Sequence, residues 1–405
     1  MPGGRAVPPK SSASHAALEI AGYAMLALVV LSTIVRTWHS TWDFQTFYWA
    51  ASAARRGLDP YRLEALSAIA GTSIALPFLY PPITLALFLP FTWLSVSSAA
   101  VAWLALKLGL AAGLVTLWRA FLPSTRPLTL LVVAVLGFNA SLLWDLRTGN
   151  LSVVEQLALW LGFTRYVEGR RRSFVAFVIL GSVFKLLPIA FLALLLVPSR
   201  ERRSNPGLAA AGLALFAAIV VLPAWLGPAW AHGYLGGQPA ERPYGERNPS
   251  VVGILDMAFH GAPPPGSGPD RALIGWGLWS AGLLALSATH LRRVWDERNP
   301  RQAVFVAAIL FALLSPRMMI YSYLLLVPPA IALVREVFPA PRARALALAL
   351  VVVQGVFQVL PSAWRVPLLQ RLTFPEALLV ANFSYFATLA LWLAWLVVGR
   401  RRARR

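Results

Sequence analysis

A single aspartate among aromatic residues is the first candidate for chemistry in this chain. Asp43 lies in the stretch Trp42-Asp43-Phe44-Gln45-Thr46-Phe47-Tyr48-Trp49, after the first long apolar segment. A carboxylate beside aromatic rings at a membrane surface loses part of its hydration, which raises its pKa and its basicity. Such a group is suited to act as a general base toward a hydroxyl group. The same pattern also fits an ordinary interfacial loop with one solvated aspartate in an aromatic belt.

Charged residues inside apolar segments form the second group of candidates. Lys185, in Phe184-Lys185-Leu186-Leu187-Pro188, must pair with another group, snorkel to the membrane surface or face water. Because Pro188 breaks a helix, Lys185 is placed to neutralise a lipid-linked phosphate at that break. Glu155 is an unusual carboxylate at apolar depth. Lys107 has no neighbouring helix break, and we expect it to snorkel.

Further polar residues interrupt the apolar segments. The sequence Asp145-Leu146-Arg147-Thr148-Gly149-Asn150 is either a plain turn or a place where Arg147 approaches a phosphate. Arg317 follows Ser315-Pro316 and is predicted on the same side of the membrane as Asp43. In a long loop, Arg247-Asn248-Pro249-Ser250 resembles a polar clamp. Asn248 is not a glycosylation acceptor, because proline follows it.

Several classes of site are excluded by composition and motif. The chain contains no cysteine, which excludes a thiol nucleophile, a disulfide framework and thiolate zinc sites. It has no phosphate-cradling glycine-rich loop ending in Gly-Lys-Ser/Thr and no Gly-x-Ser-x-Gly or His-Glu-x-x-His motif. His232 and His260 are too few and too far apart to indicate a metal. We therefore expect no metal and no cofactor, and a donor substrate that arrives through the membrane.

The elements that position these residues are membrane helices. Of the 405 residues 58% are apolar and 13% charged, and the mean hydropathy is +0.65. Soluble domains carry about 25% charged residues. The 36 basic and 16 acidic residues give a net charge of +20. The basic residues lie in short runs between apolar segments, as in cytoplasmic loops, so we expect no nucleic-acid partner.

Apolar segments of suitable length predict an all-α polytopic membrane protein with about 12 crossings. The segments are Ala17 to Val35, Pro82 to Leu94, Ala99 to Trp118, Leu128 to Trp144, Leu151 to Phe163, Ser173 to Pro198, Leu208 to Leu226, Ala272 to Leu291, Ala303 to Leu314, Met318 to Val334, Leu346 to Leu360 and Ala377 to Val398.

The charge pattern gives the predicted topology. The chain is one domain, residues 1–405, with both termini cytoplasmic in residues 1–16 and 399–405 and with outside loops at 38–80 and 227–271. The number of crossings between residues 80 and 200 stays open. We favour a hairpin of two short helices broken near Lys185 and Pro188, because it keeps the run at Arg170 inside. In the first outside loop we expect short surface helices, among them Ala50 to Arg56.

An ordered set of short motifs resembles glycosyltransferase family 87, whose members are polytopic GT-C enzymes of the bacterial envelope. The motifs are Asp43, Tyr48, Ala50-Ala51, Gly57, Asp59-Pro60-Tyr61, Tyr80-Pro81-Pro82, Gly149-Asn150, Gly181 with Lys185 and Pro188, Asn248-Pro249-Ser250 and Leu314-Ser315-Pro316. The resemblance covers about residues 38 to 335. Asn150 and Pro249 stand where members usually have glutamine.

The resemblance implies a function. Family members transfer a sugar, often mannose, from a polyprenyl phosphate to a glycolipid or glycan on the outer face of the membrane. It therefore implies an inverting hexosyltransferase, with mannose or another hexose or pentose as the sugar, in the bacterial inner membrane. Its partners are a polyprenyl-phosphate-sugar donor, a lipid or glycan acceptor and the lipid bilayer.

The resemblance also implies roles for individual residues. Asp43 is the implied catalytic base, and the leaving phosphate is stabilised by the cations Lys185, Arg317 and Arg147, because fixed charges act most strongly in a dry site. Substrate contacts are implied for Tyr48, Tyr61, Tyr80, Asn150, Gln156, Asn248 and Ser250. Two alternatives stay open: a transporter or flippase of lipid-linked sugars, and a non-catalytic membrane scaffold.

Overall fold

The computed structural model describes residues 11–37, 41–198, 203–234, 248–260 and 271–403, and these ranges contain helices and loops but no β-strand. The predicted all-α class is therefore confirmed for them. Residues 1–10, Arg247 and much of the predicted outside loop at 227–271 lie outside the described residues.

The helices follow one another through short connections. Those of the first half are α1 Ser11–Thr37, α2 Trp42–Arg55, α3 Leu63–Ala70, α4 Ile83–Phe88, α5 Val96–Phe121, α6 Pro127–Thr148, α7 Ser152–Val167 and α8 Arg171–Lys185. Those of the second half are α9 Pro206–Leu226, α10 Val251–His260, α11 Arg271–Glu297, α12 Pro300–Leu314, α13 Val327–Val337, α14 Pro341–Val359, α15 Ser362–Gln370, α16 Phe374–Ala381 and α17 Phe383–Ala403. Segments of 3-10 helix occupy Leu89–Trp93, Leu187–Leu196, Ala229–Tyr234 and Ile320–Leu326.

Many of the helices are long and apolar enough to cross a membrane. In the described ranges seven segments meet this requirement, or eight if α16 and the apolar part of α17 form one bent span. They are Ala16–Thr37, Val96–Phe121, Pro127–Thr148, Pro206–Leu226, Arg271–Arg292, Ile320–Val337 and Pro341–Val359. Shorter apolar helices lie at Ile83–Trp93, Leu187–Leu196 and Pro300–Leu314. The chain is therefore a multi-pass membrane protein, and the number of 12 crossings stays a prediction.

Helix α2 differs from the sequence prediction. Ala50 to Arg56 was expected to form a short helix along the membrane surface, but it belongs to a longer helix that begins at Trp42. Phe44, Ala50 and Ala51 are fully buried. The surface placement is therefore wrong, because apolar side chains cover more than one face of α2 and such a helix is buried. Helix α3, in which only Leu66 is buried, is the more exposed helix of this segment.

One helix break confirms a prediction, and another interrupts a segment that was predicted as a continuous span. Helix α8 ends at Lys185, Leu186 adopts a positive φ of 54°, and a 3-10 segment containing Pro188 follows, so the predicted break is confirmed. The last predicted span, Ala377 to Val398, is interrupted at Asn382, where the chain bends by 76°. The Asn382 side-chain amide donates to the Leu378 backbone carbonyl oxygen at 3.0 Å. A side chain that bonds to the backbone in this way competes with the hydrogen bonds that would continue the helix.

A buried ion pair connects α5, α6 and the start of α7. The Lys107 ammonium on α5 lies 2.7 Å from the Asp145 carboxylate on α6, and neither side chain is exposed. The Ser152 backbone N–H at the start of α7 donates to the same carboxylate at 3.0 Å. The prediction that Lys107 snorkels is therefore wrong, because a carboxylate partner lies at its own depth. Asp145 is part of this pair and not of a plain turn.

Gly149 ends α6 in close contact with the start of α2. It adopts a positive φ of 74°, and a Cβ at this position would lie 2.7 Å from the Cβ of Phe44. The Trp103 indole N–H donates to the Gly149 carbonyl oxygen at 2.8 Å. Glycine permits both the left-handed backbone and the close approach, and it brings the start of α2 against the start of α7.

We expect Gly149→Ala to lower the free energy of unfolding by about 2–4 kcal/mol, because it adds left-handed strain and a steric overlap with Phe44. Gly57→Ala is the matched control, because Gly57 has a φ of 72° and open space around its Cα. It should cost only the strain of about 1–2 kcal/mol. Thermal unfolding in detergent measures the stability of both variants. Equal losses of stability would show that the steric overlap with Phe44 does not contribute to the effect.

Candidate active site

A cavity of about 650 Å³ opens beside the N-terminal end of α2. Asp43 lines it, together with Tyr80, Asn150, Arg147 and Arg317. Rings and apolar side chains complete the wall: Trp42, Phe47, Trp144, Met319, Ile320 and Tyr321. The structure therefore brings five of the predicted site residues together from distant parts of the sequence.

The Asp43 carboxylate is buried and has one close amide partner. Only 9% of the residue is exposed, and the Asn150 amide donates to its Oδ2 at 2.7 Å. The same amide lies 3.4 Å from the Tyr80 hydroxyl oxygen. Burial raises the pKa of Asp43 from 3.8 to about 6, and the hydrogen bond from Asn150 limits the rise. At neutral pH the carboxylate is ionised and has the basicity that a general base requires.

Aromatic packing fixes the position of this carboxylate. Phe44, the next residue on α2, stacks on Trp103 of α5 with ring centroids 6.2 Å apart. One turn later Phe47 stacks on Phe88 of α4 at 4.7 Å, and its edge meets Tyr80 at 5.0 Å. Because these rings pack α2 against α4 and α5, Asp43 lines the cavity from a rigid support.

A second cavity, of about 190 Å³, adjoins the first and contains Lys185. The Lys185 ammonium lies 2.8 Å from the Glu155 carboxylate, donates to the Ser152 and Ser322 hydroxyls and lies 4.7 Å from the Tyr321 ring centroid. The sequence left open whether Lys185 pairs, snorkels or faces water, and the structure pairs it with Glu155. The two cavities share the side chains of Tyr80, Arg317 and Tyr321.

Hydrogen bonds connect Asp43 to Lys185 across the two cavities. Asn150 donates to Asp43 through its amide nitrogen and accepts from the Ser152 hydroxyl at 3.3 Å through its amide oxygen. Ser152 in turn accepts from Lys185. Sequence reasoning missed Ser152, although its position two residues after Asn150 at the start of α7 was a usable signal. It also missed Ser322 and Tyr321, whose sequence context is an ordinary apolar span.

The two arginines present exposed guanidinium groups to the first cavity. Arg147, near the end of α6, lies 5.9 Å from the Trp42 ring centroid and 5.3 Å from that of Trp144. Arg317 lies between α12 and the 3-10 segment Ile320–Leu326 and also lines the second cavity. The lining of the larger cavity therefore combines one buried carboxylate with two cations.

The predicted substrate tyrosines Tyr48 and Tyr61 bind backbone in the structure. The Tyr48 hydroxyl donates to the Leu94 carbonyl oxygen at 2.8 Å, and the Tyr61 hydroxyl donates to the Tyr80 carbonyl oxygen at 3.0 Å. Neither tyrosine lines the two cavities described above. Tyr61 supports Tyr80, which does line them, and substrate contact by Tyr48 or Tyr61 stays a prediction.

Asn248 and Ser250 hold the segment that carries Arg317. Asn248 accepts from the Met318 backbone N–H at 2.7 Å and donates to the Pro316 carbonyl oxygen at 3.3 Å. The Ser250 hydroxyl donates to the same oxygen at 2.9 Å. These residues therefore position the arginine, and their direct contact with substrate stays a prediction.

Gln156 is the remaining predicted contact, and it is buried beside Glu155 without lining either cavity. No three His, Asp or Glu side chains of the described ranges are grouped closely enough to hold a metal ion. The His232 ring lies 3.0 Å from the Trp225 carbonyl oxygen. Metal independence stays a prediction.

Comparison with known proteins gives one match. The family model of glycosyltransferase family 87 matches residues 78–316, which is more than half of the chain. The matched range includes Tyr80, Arg147, Asn150 and Lys185, whereas Asp43 precedes it and Arg317 follows it. The chain matches no curated protein and no solved structure.

Proposed function

Because the chain belongs to glycosyltransferase family 87 and is a membrane glycosyltransferase, we propose that it uses a polyprenyl-phosphate sugar as its donor. The sugar, a hexose such as mannose or a pentose, passes to a hydroxyl group of a lipid or glycan on the outer face of a bacterial inner membrane. This proposal includes the GT-C fold, about 12 crossings and cytoplasmic termini. The observation that carries it is the buried Asp43 carboxylate, which lines one cavity together with two arginines.

Asp43 is the proposed general base. Its carboxylate removes the proton of the acceptor hydroxyl while the acceptor oxygen attacks the anomeric carbon of the donor. The bond between that carbon and the phosphate oxygen breaks, and polyprenyl phosphate leaves with both electrons. A single displacement of this kind inverts the anomeric configuration. Asn150 supports the reaction by fixing the orientation of the carboxylate, since its amide donates to Oδ2 at 2.7 Å.

We assign the binding of the leaving phosphate to the two arginines. Lys185 is already neutralised by Glu155 at 2.8 Å, so it adds little net charge to the cavities. Arg317 lines both cavities and belongs to none of the ion pairs found among the described residues. A guanidinium binds phosphate through two parallel hydrogen bonds. Arg317 is therefore the principal proposed phosphate ligand and Arg147 the second, and Lys185 contributes less because Glu155 offsets its charge.

The lining of the smaller cavity suits the start of an isoprenoid chain. Apolar side chains form most of its wall: Leu79, Pro81, Phe184, Leu186, Leu187, Pro188, Phe311, Met318 and Met319. A donor placed across the shared wall has its lipid beside these residues, its phosphate at Arg317 and its sugar in the larger cavity near Asp43. This arrangement requires no nucleotide-binding element.

Donor choice tests the proposed function. We expect the purified protein to consume radiolabelled polyprenyl-phosphate mannose, or the corresponding pentose donor, when an envelope lipid extract supplies the acceptor. Nucleotide sugars should not be consumed. Consumption of a nucleotide sugar in place of the lipid-linked donor would contradict the proposal.

We expect Arg317→Gln to reduce kcat/KM for the donor by about 10- to 100-fold, because the variant loses a charge-assisted contact with the leaving phosphate. Arg56→Gln, which removes an exposed arginine at the end of α2 outside the cavities, should have little effect. Initial rates at subsaturating donor measure both. Equal rates for Arg317→Gln and the native protein would remove Arg317 from the proposal.

We expect Asn150→Ala to move the acid limb of the kcat/KM profile toward higher pH. The native limb should have its midpoint near the Asp43 pKa of about 6, with activity rising as the carboxylate loses its proton. Removing the amide donor destabilises the ionised carboxylate and raises its pKa further. Gln45→Ala is the control, because it removes an amide from α2, the helix of Asp43, at a residue that does not line the cavity. It should keep the native midpoint. An unchanged midpoint in Asn150→Ala would show that another group controls the limb.

A further inference from the structure

A third cavity, of about 230 Å³, lies where the C-terminal ends of α1, α6 and α14 meet the start of α15. Three arginines from three separate helices line it: Arg36, Arg147 and Arg365. Four hydroxyl side chains also line it, those of Ser32, Thr33, Thr37 and Ser362, and the first three donate to backbone carbonyl oxygens of α1. Among the described residues that line the cavity, none is an aspartate or glutamate.

The positive charge of this cavity favours an anionic ligand. Like charges that line one small cavity repel one another, and an anion bound between them relieves the repulsion. Arg365 is fixed in place, since its guanidinium donates to the Gln358 backbone oxygen at 2.8 Å and to the Gln358 side-chain oxygen at 2.7 Å. Arg147 packs over the rings of Trp42 and Trp144. Two of the three guanidinium groups are thus held by protein contacts.

This cavity is separate from the proposed catalytic cavity but touches it. Trp144 and Arg147 line both, whereas Asp43 and Arg317 do not line the third cavity. Its other wall is formed by α1, and only 6% of the residues in the apolar stretch of this helix are buried inside the protein. The cavity therefore lies between the reaction site and a helix that faces the surrounding lipid.

We propose that the cavity lined by Arg36, Arg147 and Arg365 binds a phosphate group, carried by a membrane lipid or present as the free ion. Arginine is the side chain best suited to this, because its planar group offers paired hydrogen bonds to phosphate oxygens. A volume of 230 Å³ exceeds the share of one liquid water, about 30 Å³, several-fold, and it accommodates a phosphate with its ester oxygens. The site goes beyond the proposed transfer reaction, since phosphate binding requires neither Asp43 nor a donor sugar.

Native mass spectrometry of the full-length protein released from detergent tests the site. The probes are phosphatidic acid and diacylglycerol with identical acyl chains, which differ only in the phosphate group. We expect the native protein to retain phosphatidic acid at least about tenfold more strongly than diacylglycerol, as for one charge-assisted contact. The variant carrying Arg36→Gln and Arg365→Gln should lose that preference.

Matched variants separate binding from folding. Arg371→Gln removes an exposed arginine at the end of α15 outside the cavity and should keep the preference. Arg36→Gln alone removes an exposed side chain of α1 and should lose part of it, which covers the case in which the double variant fails to fold. Two results would overturn lipid binding: equal retention of the two lipids by the native protein, or an undiminished preference in folded Arg36→Gln and double variants. The whole proposal is overturned if inorganic phosphate also fails to bind.

Inorganic phosphate distinguishes the two sources. If millimolar phosphate displaces phosphatidic acid from the native protein and stabilises it against heat, but does not stabilise the double variant, the site serves the free ion. If phosphatidic acid remains bound in its presence, the site serves a lipid headgroup. Failure of the transfer assay would leave this binding measurement unaffected, so the two proposals fail separately.

Discussion

Replacing Asp43 by asparagine should lower the rate of sugar transfer by about 10²- to 10⁴-fold, which is the usual contribution of a general base. Asparagine matches aspartate in shape and can still accept the hydrogen bond that Asn150 now donates at 2.7 Å. It cannot take the proton of the acceptor hydroxyl. The loss should therefore appear in kcat, with the thermal stability of the protein close to native. Initial rates at neutral pH and saturating donor measure it.

Glu64→Gln is the matched control for this substitution, because Glu64 is an exposed carboxylate in the same part of the chain that does not line the cavity. It should retain native activity. Full activity in a folded Asp43→Asn protein would place the base elsewhere, and Glu155, which lines the adjoining cavity, would be the next residue to substitute.

Asp145→Leu should be the most destabilising single change among those considered, because it leaves the Lys107 ammonium buried without its carboxylate. The pair has an N–O distance of 2.7 Å, and neither side chain is exposed. Removing one partner of a buried pair costs about 3–5 kcal/mol, and an isolated charge at membrane depth is similarly unfavourable. We expect a large fall in the thermal unfolding temperature in detergent, accompanied by poor yield.

A double variant and an exposed pair provide the controls. Lys107→Met combined with Asp145→Leu removes both charges and should recover most of the stability, since a buried ion pair is often replaceable by apolar residues. Glu168→Gln breaks the partly exposed pair with Arg165, which has an N–O distance of 2.8 Å, and should cost less than about 1 kcal/mol. If Asp145→Leu proved as mild as Glu168→Gln, the Lys107–Asp145 pair would carry no structural weight.

Local signals in the sequence accounted for the helices and for the main candidate residue. A run of apolar residues is visible without knowledge of its neighbours, and the predicted segments from Ala17 to Val35 through Leu346 to Leu360 lie on helices. Three of them combine α-helix with 3-10 helix: Pro82 to Leu94, Ser173 to Pro198 and Met318 to Val334. Asp43 was identifiable because a carboxylate among aromatic rings is rare. The break after Lys185 was identifiable because Pro188 cannot continue a helix.

Contacts between distant segments could not be predicted from the sequence. Asn150 meets Asp43 across 107 residues, and Lys107 meets Asp145 across 38. Such pairs depend on the relative rotation and depth of packed helices, which hydropathy does not encode. For the same reason Lys107 was expected to snorkel and α2 was expected at the membrane surface. Asn248 and Ser250 were recognised as polar, but their bonds to the backbone around Arg317 required the fold.

The anomeric configuration of the product tests the proposed single displacement at Asp43. A polyprenyl-phosphate sugar of known configuration is incubated with an excess of purified protein and an envelope lipid acceptor, and proton NMR follows the anomeric signal. We expect a glycosylated product of inverted configuration and one polyprenyl phosphate released for each sugar transferred. Retention of configuration would contradict the proposal, because a single back-side displacement by the acceptor oxygen cannot retain the anomeric configuration.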